Sequence, residues 1–149
     1  MRRRTNAVAM YFAACALCFA TAAPALEPGE YEVSVRLELP HVEDMGARKV
    51  TRICVTGSDG GTHGLVVLSD NNPLARCPAS DVRESGGTLT FEIVCPGANA
   101  AVGSAKYALR AHDFDGVIAM KMGGKNMTMT ERQSGRRAGT CEAAGAAPN

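Results

Sequence analysis

The chain of 149 residues carries 16 basic and 15 acidic side chains, so its formal net charge at pH 7 is +1. This near-neutral charge gives no electrostatic reason to bind nucleic acid, which needs a clustered basic face. The length suits one domain, and the six cysteines point to disulfide chemistry in an exported protein.

Residues 1–25 have the pattern of a secretory signal peptide. Three arginines open the chain, an uncharged apolar run covers residues 7–23, and Ala23-Pro24-Ala25 places small residues where a signal peptidase cuts. The apolar run is short for a retained membrane anchor, which needs about 20 residues. A lipoprotein anchored at Cys15 is not expected either, because the apolar run before Cys15 would be very short. We therefore expect a periplasmic or secreted protein without a stable membrane anchor. Its domain would cover residues 26–141, followed by a disordered tail at 142–149.

The first half of that domain begins with two predicted strands. In residues 30–39, apolar side chains alternate with polar ones, which is typical of a half-buried strand that ends at Pro40. Arg48 to Val55 predicts a second strand. Thr56 to Asp59 resembles a helix cap. The apolar run Leu65 to Leu68 fits either a helical turn or a buried strand.

The stretch from Cys77 to Cys95 predicts a β-hairpin closed by a disulfide. A glycine pair at its midpoint favours a tight turn, and Leu89, Phe91 and Ile93 alternate with polar residues after it. Both cysteines are equally distant from Gly86. The register that joins them would place Val82 on the wrong face, so we expect a bulge near Pro78, because a bulge shifts the register by one residue.

The second half of the domain predicts three more strands. Val102 to Ala111 forms one, Asp113 to Gly116 is expected to be a turn, and residues 117–122 and 127–133 form a second hairpin. The predicted fold is therefore all-β: a single-domain antiparallel meander of about seven strands, forming a strongly curved sheet or an open barrel.

After signal cleavage, four cysteines remain, and an even number in an exported chain indicates disulfides. The hairpin favours pairing Cys77 with Cys95, which leaves Cys54 with Cys141. Zinc is disfavoured, because the chain has no C-x-x-C pair and no histidine near these cysteines. No cofactor is expected.

Methionines give the strongest functional hint. Met120, Met122, Met127 and Met129 alternate along the two strands of the second hairpin and can share one face. Thioethers are soft ligands that select Cu(I), but methionine is also a flexible filler of cores. We expect packing, and we keep a Cu(I) or Ag(I) site as the alternative.

Catalytic motifs are absent from the sequence. His41, His63 and His112 are isolated, and His112-Asp113 has no serine or cysteine nucleophile tied to it. There is no G-x-S-x-G, no H-E-x-x-H and no phosphate-binding loop. We therefore expect a protein that is not an enzyme.

The order and spacing of several short motifs resemble a family of exported proteobacterial proteins known as domain of unknown function 3617. These motifs are Leu26 to Val33, Cys54-Val55-Thr56, the Cys77–Cys95 stretch, the paired methionine strands, and Gly135 to Cys141. This chain departs from the family pattern at Tyr31, where tryptophan is common, and in its short first loop. The resemblance implies export and a β-rich domain, and it brings no catalytic residues.

Three functional hypotheses remain. The first is a non-catalytic binding module for a small apolar ligand or a protein partner of the cell envelope. The second is a Cu(I) or Ag(I) site on the methionine face. The third is a purely structural envelope protein.

Overall fold

The computed structural model describes residues 26–41, 48–57, 61–97, 100–123 and 127–141; the predicted signal peptide and C-terminal tail lie outside them. The strands, in chain order, are β1 Gly29–Glu38, β2 Arg48–Val55, β3 Ala79–Ser85, β4 Thr88–Val94, β5 Val102–Leu109, β6 Asp113–Met122 and β7 Met127–Gly139. They pair antiparallel in one sheet, in the order β2-β1-β7-β6-β5-β4-β3. The all-β prediction is confirmed, and the sheet stays open. No helix within the described residues could span a bilayer.

One long connection covers the inner face of this sheet. Because β2 and β3 lie at opposite edges, the chain between them must cross the sheet. This connection, residues 56–78, buries Leu65, Val67 and Leu74 against the inward side chains of the strands. The run Leu65 to Leu68 is therefore neither a helix nor a sheet strand, and a short 3₁₀ turn, Pro73–Arg76, follows it. The connection gives the open sheet the second layer that its apolar face requires.

The predicted turn at Asp113 to Gly116 is wrong, because these residues begin β6. Phe114 is fully buried, and its ring centroid lies 5.8 Å from that of Tyr31 and 5.8 Å from that of Tyr107. Gly116 lies directly opposite Tyr107, whose ring occupies the space where a side chain would be. Gly135 makes the same space for Phe114, which explains why β7 continues past its predicted end at Gln133. These glycines are thus packing positions within strands.

Replacing Gly116 by alanine should destabilise the fold by about 1–3 kcal/mol, the usual cost of overpacking a core. A Cβ atom at this position would lie 2.1 Å from Cε1 of Tyr107, so the ring or the backbone must move. Denaturant unfolding measures the loss. Gly139→Ala is the matched control, because a Cβ there meets nothing within 4 Å. Equal stability of the two variants would contradict the proposed packing.

Both disulfides join the cysteines that the hairpin argument favours, Cys54 with Cys141 and Cys77 with Cys95. The expected bulge also exists, but it lies between Ser80 and Arg83 and not near Pro78. Asp81, inside the bulge, has a positive φ of 50°, and Val82 packs against the core. The extra residue lets the disulfide and the burial of Val82 coexist. The two disulfides indicate folding in an oxidising compartment outside the cytoplasm.

Candidate functional site

Strand β2 is an edge strand with nothing paired along its outer side in the described structure. It pairs only with β1, from Gly29 opposite Val55 to Arg36 opposite Arg48, without a register shift. Its free edge is therefore regular over eight residues, about 27 Å at the usual rise per residue. Val50, near its middle, is 65% exposed. Such an edge presents unpaired backbone N–H and C=O groups that can accept another strand.

The opposite edge, β3, differs from β2 in ways that hinder strand addition. Its register breaks between Ser80 and Arg83, and Asp81 has a left-handed backbone conformation. A bulge twists an edge away from a partner, which is a common protection of sheet edges. Of the two edges, β2 is therefore the better template for an added strand.

Charge also distinguishes β2. Three of its eight residues, Arg48, Lys49 and Arg52, are basic and none is acidic. Lys49 forms an ion pair with Asp70 at 2.6 Å, and Arg52 forms one with Glu30 at 3.0 Å. Within the described part of the chain, Arg48 forms no ion pair. Cations along an edge repel other basic strands and favour an acidic one.

A buried polar network fixes the connection to the inner face of β7, two strands from this edge. Glu131, fully buried on β7, accepts hydrogen bonds from the backbone N–H groups of Leu68 at 2.8 Å and Ser69 at 3.0 Å. The Gln133 side-chain amide donates to the carbonyl of Val66 at 2.8 Å and to Glu131 at 2.6 Å. These bonds satisfy polar groups that would otherwise be costly to bury.

Tyr107 extends the network into the core. Its hydroxyl donates to Oε1 of Gln133 at 3.0 Å. Burial, with a contribution from the charge of Glu131, raises the pKa of Tyr107 well above its usual range, so the phenol stays a neutral donor. Sequence reasoning did not identify Glu131 or Gln133. The alternation of the strand could have identified them, because Glu131 and Gln133 continue the row of every second residue that begins with Met127 and Met129 and faces inward.

The inner face offers no room for a drug-sized apolar ligand in the part of the molecule described. Side chains of the sheet and the connection fill it, with all four of Tyr31, Phe91, Tyr107 and Phe114 buried. A small cavity at its border measures about 100 Å³ and is lined by Val35, Leu37, Arg48, Lys49, Ser69 and Asp70. Small-molecule sites usually have about 300–1,000 Å³.

The four methionines share one face, as their spacing predicts. Met120 lies opposite Met129, and Met122 lies opposite Met127. Their exposure differs. Met120 is buried, and its sulfur lies 3.2 Å from the side-chain nitrogen of Asn72. Met122 and Met129 are half-buried against the core, and Met127 is 45% exposed. The row therefore leads out of the core toward the end of the hairpin.

The histidines do not form a joint site. His41 is exposed after β1, and His112 lies 3.5 Å from Glu27 at the surface. His63 is half-buried, and its Nε2 lies 2.7 Å from a carboxylate oxygen of Glu84, so this histidine links the connection to β3. Asp113 pairs with Arg110 and not with its neighbour His112. Among the described residues, no group of three or more histidines, cysteines and acids is placed to hold a metal ion.

Comparison with known proteins identifies one family. The model of DUF3617, described as a protein of unknown function, matches residues 26–141, and the chain belongs to this family. No curated protein and no solved structure matches the chain.

Proposed function

We propose that this member of the DUF3617 family is a periplasmic or secreted, non-catalytic binding module that receives an extended acidic segment of a protein partner along β2. The observation that carries the proposal is the regular, unpaired and basic edge of β2. Strand addition of this kind gains affinity from backbone hydrogen bonds and specificity from alternate side chains. The filled inner face favours a protein partner over a small apolar ligand.

The side chains of β2 define the partner sequence. Arg48, Val50 and Arg52 are exposed and point to the outer face, since their Cα partners on β1 are its polar residues. Side chains directly opposite on neighbouring strands lie about 4.5–5.5 Å apart and interact. The best segment therefore has the pattern acidic-x-apolar-x-acidic, with its apolar residue against Val50.

Photo-crosslinking from position 50 tests this proposal in the native cell envelope. We expect a photoreactive residue replacing Val50 to crosslink to one protein, through a segment with the acidic-x-apolar-x-acidic pattern. The matched control is the same residue replacing Val102, which is 38% exposed and has a Cα partner on each neighbouring strand, Val94 on β4 and Lys121 on β6. Equal crosslinking from both positions, or a segment without acidic residues, would refute the proposal.

Charge reversal gives the quantitative test. A peptide with the crosslinked sequence should bind the Arg48→Glu, Arg52→Glu double variant about tenfold more weakly, because two attractive pairs become repulsive. Lys106→Glu is the control, since Lys106 is an exposed cation on β5, which is paired on both sides. The same loss in the control would show general attraction of acidic peptides and no role for the edge.

Cu(I) binding is the second candidate, favoured by the common face of the methionines. Three thioethers, those of Met122, Met127 and Met129, lie at the accessible end of the row, whereas Met120 is in the core. We expect no tight Cu(I) binding in an anaerobic titration. The variant with all four methionines replaced by leucine should remain folded, because each such replacement usually costs under about 1.5 kcal/mol. Sub-micromolar binding of one Cu(I) by the native protein, lost in this variant, would make copper the leading function.

A further inference from the structure

We propose a binding site for a phosphate dianion on the outer face of the sheet, beside a row of three arginines on neighbouring strands. Arg48 on β2 is the Cα partner of Arg36 on β1, and Arg36 is also the Cα partner of Arg132 on β7. The three side chains thus stand in one row, on adjacent strands about 4.8 Å apart. This site concerns the outer face and does not depend on the proposed strand addition at the β2 edge.

The arrangement is unfavourable for an empty sheet. Like charges directly opposite each other on neighbouring strands destabilise the pairing, and this row places two such pairs side by side. One carboxylate, Glu38, lies beside them: its oxygens are 2.9 and 3.0 Å from Nε of Arg132 and one is 3.5 Å from Nε of Arg36. Among the described residues, Glu38 is the carboxylate paired with this row, so three guanidinium groups share one paired negative charge.

The hydrogen-bonding capacity of these arginines is also unused. Both bonds from Arg132 to Glu38 use its Nε. Nε of Arg36 is buried without a hydrogen-bond partner, although the side chain as a whole is 40% exposed. Arg48 has no ion pair among the described residues. Within the described ranges, no hydrogen bond uses the terminal nitrogens of Arg36 and Arg132, so these donors are available to a ligand.

A trough beside Arg36 and Arg132 gives the ligand a place. Its volume is about 310 Å³, and it is lined by Arg36 and Arg132 together with Ser34 and Ser134, which lie directly opposite each other. Small side chains at the floor let the longer arginines form a wall, and the hydroxyl of Ser34 adds a donor. Asp115 also lines the trough: its hydrogen bond from Arg110 and a second one from Ser134 lower its pKa, so it stays ionised, and the Arg110 guanidinium balances its negative charge.

The chemistry selects a tetrahedral oxyanion with two negative charges. A carboxylate neutralises one charge and presents two oxygens in a plane, and Glu38 already fills that role. A phosphate group presents several acceptor oxygens in different directions, which suits guanidinium donors from separate strands. The source is either free phosphate or a phosphate monoester on a lipid headgroup, and both have the same recognition chemistry.

Two titrations of the full exported protein test the site and distinguish the sources. The first adds inorganic phosphate and follows backbone amide NMR signals, with chloride at matched ionic strength as the blank. The second measures binding to phosphatidylcholine vesicles with and without phosphatidic acid. Saturable shifts of the amide signals of Ser34, Arg36 and Arg132 on adding phosphate would support the site and identify free phosphate as its ligand. Binding to vesicles only when they contain phosphatidic acid supports it with a lipid.

Variants show whether the arginine row is responsible. Arg132→Gln should weaken binding about tenfold, the usual effect of losing a charge-assisted hydrogen bond, and Arg48→Gln, outside the trough, should weaken it less, by removing a nearby positive charge. Arg48 forms no ion pair among the described residues, so we expect Arg48→Gln to remain folded. This variant therefore still tests the arginine row if Arg132→Gln unfolds. Arg83→Gln is the control, an exposed arginine on β3 at the far edge. Absence of binding in both titrations, or an equal loss in the control, would overturn the proposal.

Discussion

Replacing Glu131 by alanine is expected to lower the free energy of unfolding by about 3–5 kcal/mol. The change leaves the partly buried N–H groups of Leu68 and Ser69 without their acceptor, and each unsatisfied group costs about 1–3 kcal/mol when it is shielded from water. It also opens a cavity in the core, which adds a further cost. Denaturant unfolding measures the loss.

The matched control is Glu92→Ala. Glu92 is an exposed glutamate on β4 that accepts one hydrogen bond from Ser104, and exposed substitutions of this kind usually change stability by less than about 0.5 kcal/mol. Hydrogen exchange gives a second signature, because the amides of Leu68 and Ser69 should exchange faster in the Glu131 variant while the strands stay protected. A loss below about 1 kcal/mol would contradict the anchoring role of Glu131.

Loss of the Cys54–Cys141 disulfide should destabilise the protein more than loss of Cys77–Cys95. The first spans a sequence separation of 87 residues and the second 18. On the chain-entropy model these closures contribute about 4–5 and about 3 kcal/mol, although measured effects follow loop length loosely. Unfolding of Cys141→Ser and Cys77→Ser compares them directly.

Cys54→Ser supplies the internal control for this prediction. It removes the same bond as Cys141→Ser, so the two variants should have equal stability and their combination should cost no more than either alone. An additive double variant, or a larger loss in Cys77→Ser, would contradict the expectation.

Much of the fold was predictable because local pattern and packing agree. The strict alternation in β1 and β4 gave their inward faces, and the symmetry around Gly86 gave the Cys77–Cys95 pairing. The conflict between that pairing and the burial of Val82 correctly required a bulge. Its position was not predictable, because Asp81 adopts a positive φ that nothing in its neighbours demands.

Other features depend on contacts between distant segments. Gly116 carries a turn signal locally, and only the ring of Tyr107 on the neighbouring strand makes it a strand residue. Glu131 is polar and was not singled out, because the backbone N–H groups that it binds, those of Leu68 and Ser69, lie more than 60 residues away in the connection. The free edge of β2 likewise follows from β7 pairing with the other side of β1. Periodicity within one segment contains none of this information.

Hydrogen exchange with the acidic partner segment bound tests the central proposal most directly. If the segment adds to the sheet, backbone amides along β2 should become protected, because the unpaired N–H groups gain acceptors. The amides of β3, at the opposite edge, should exchange as in the free protein. Protection of β3, or binding that leaves every β2 amide unchanged, would contradict strand addition at the β2 edge.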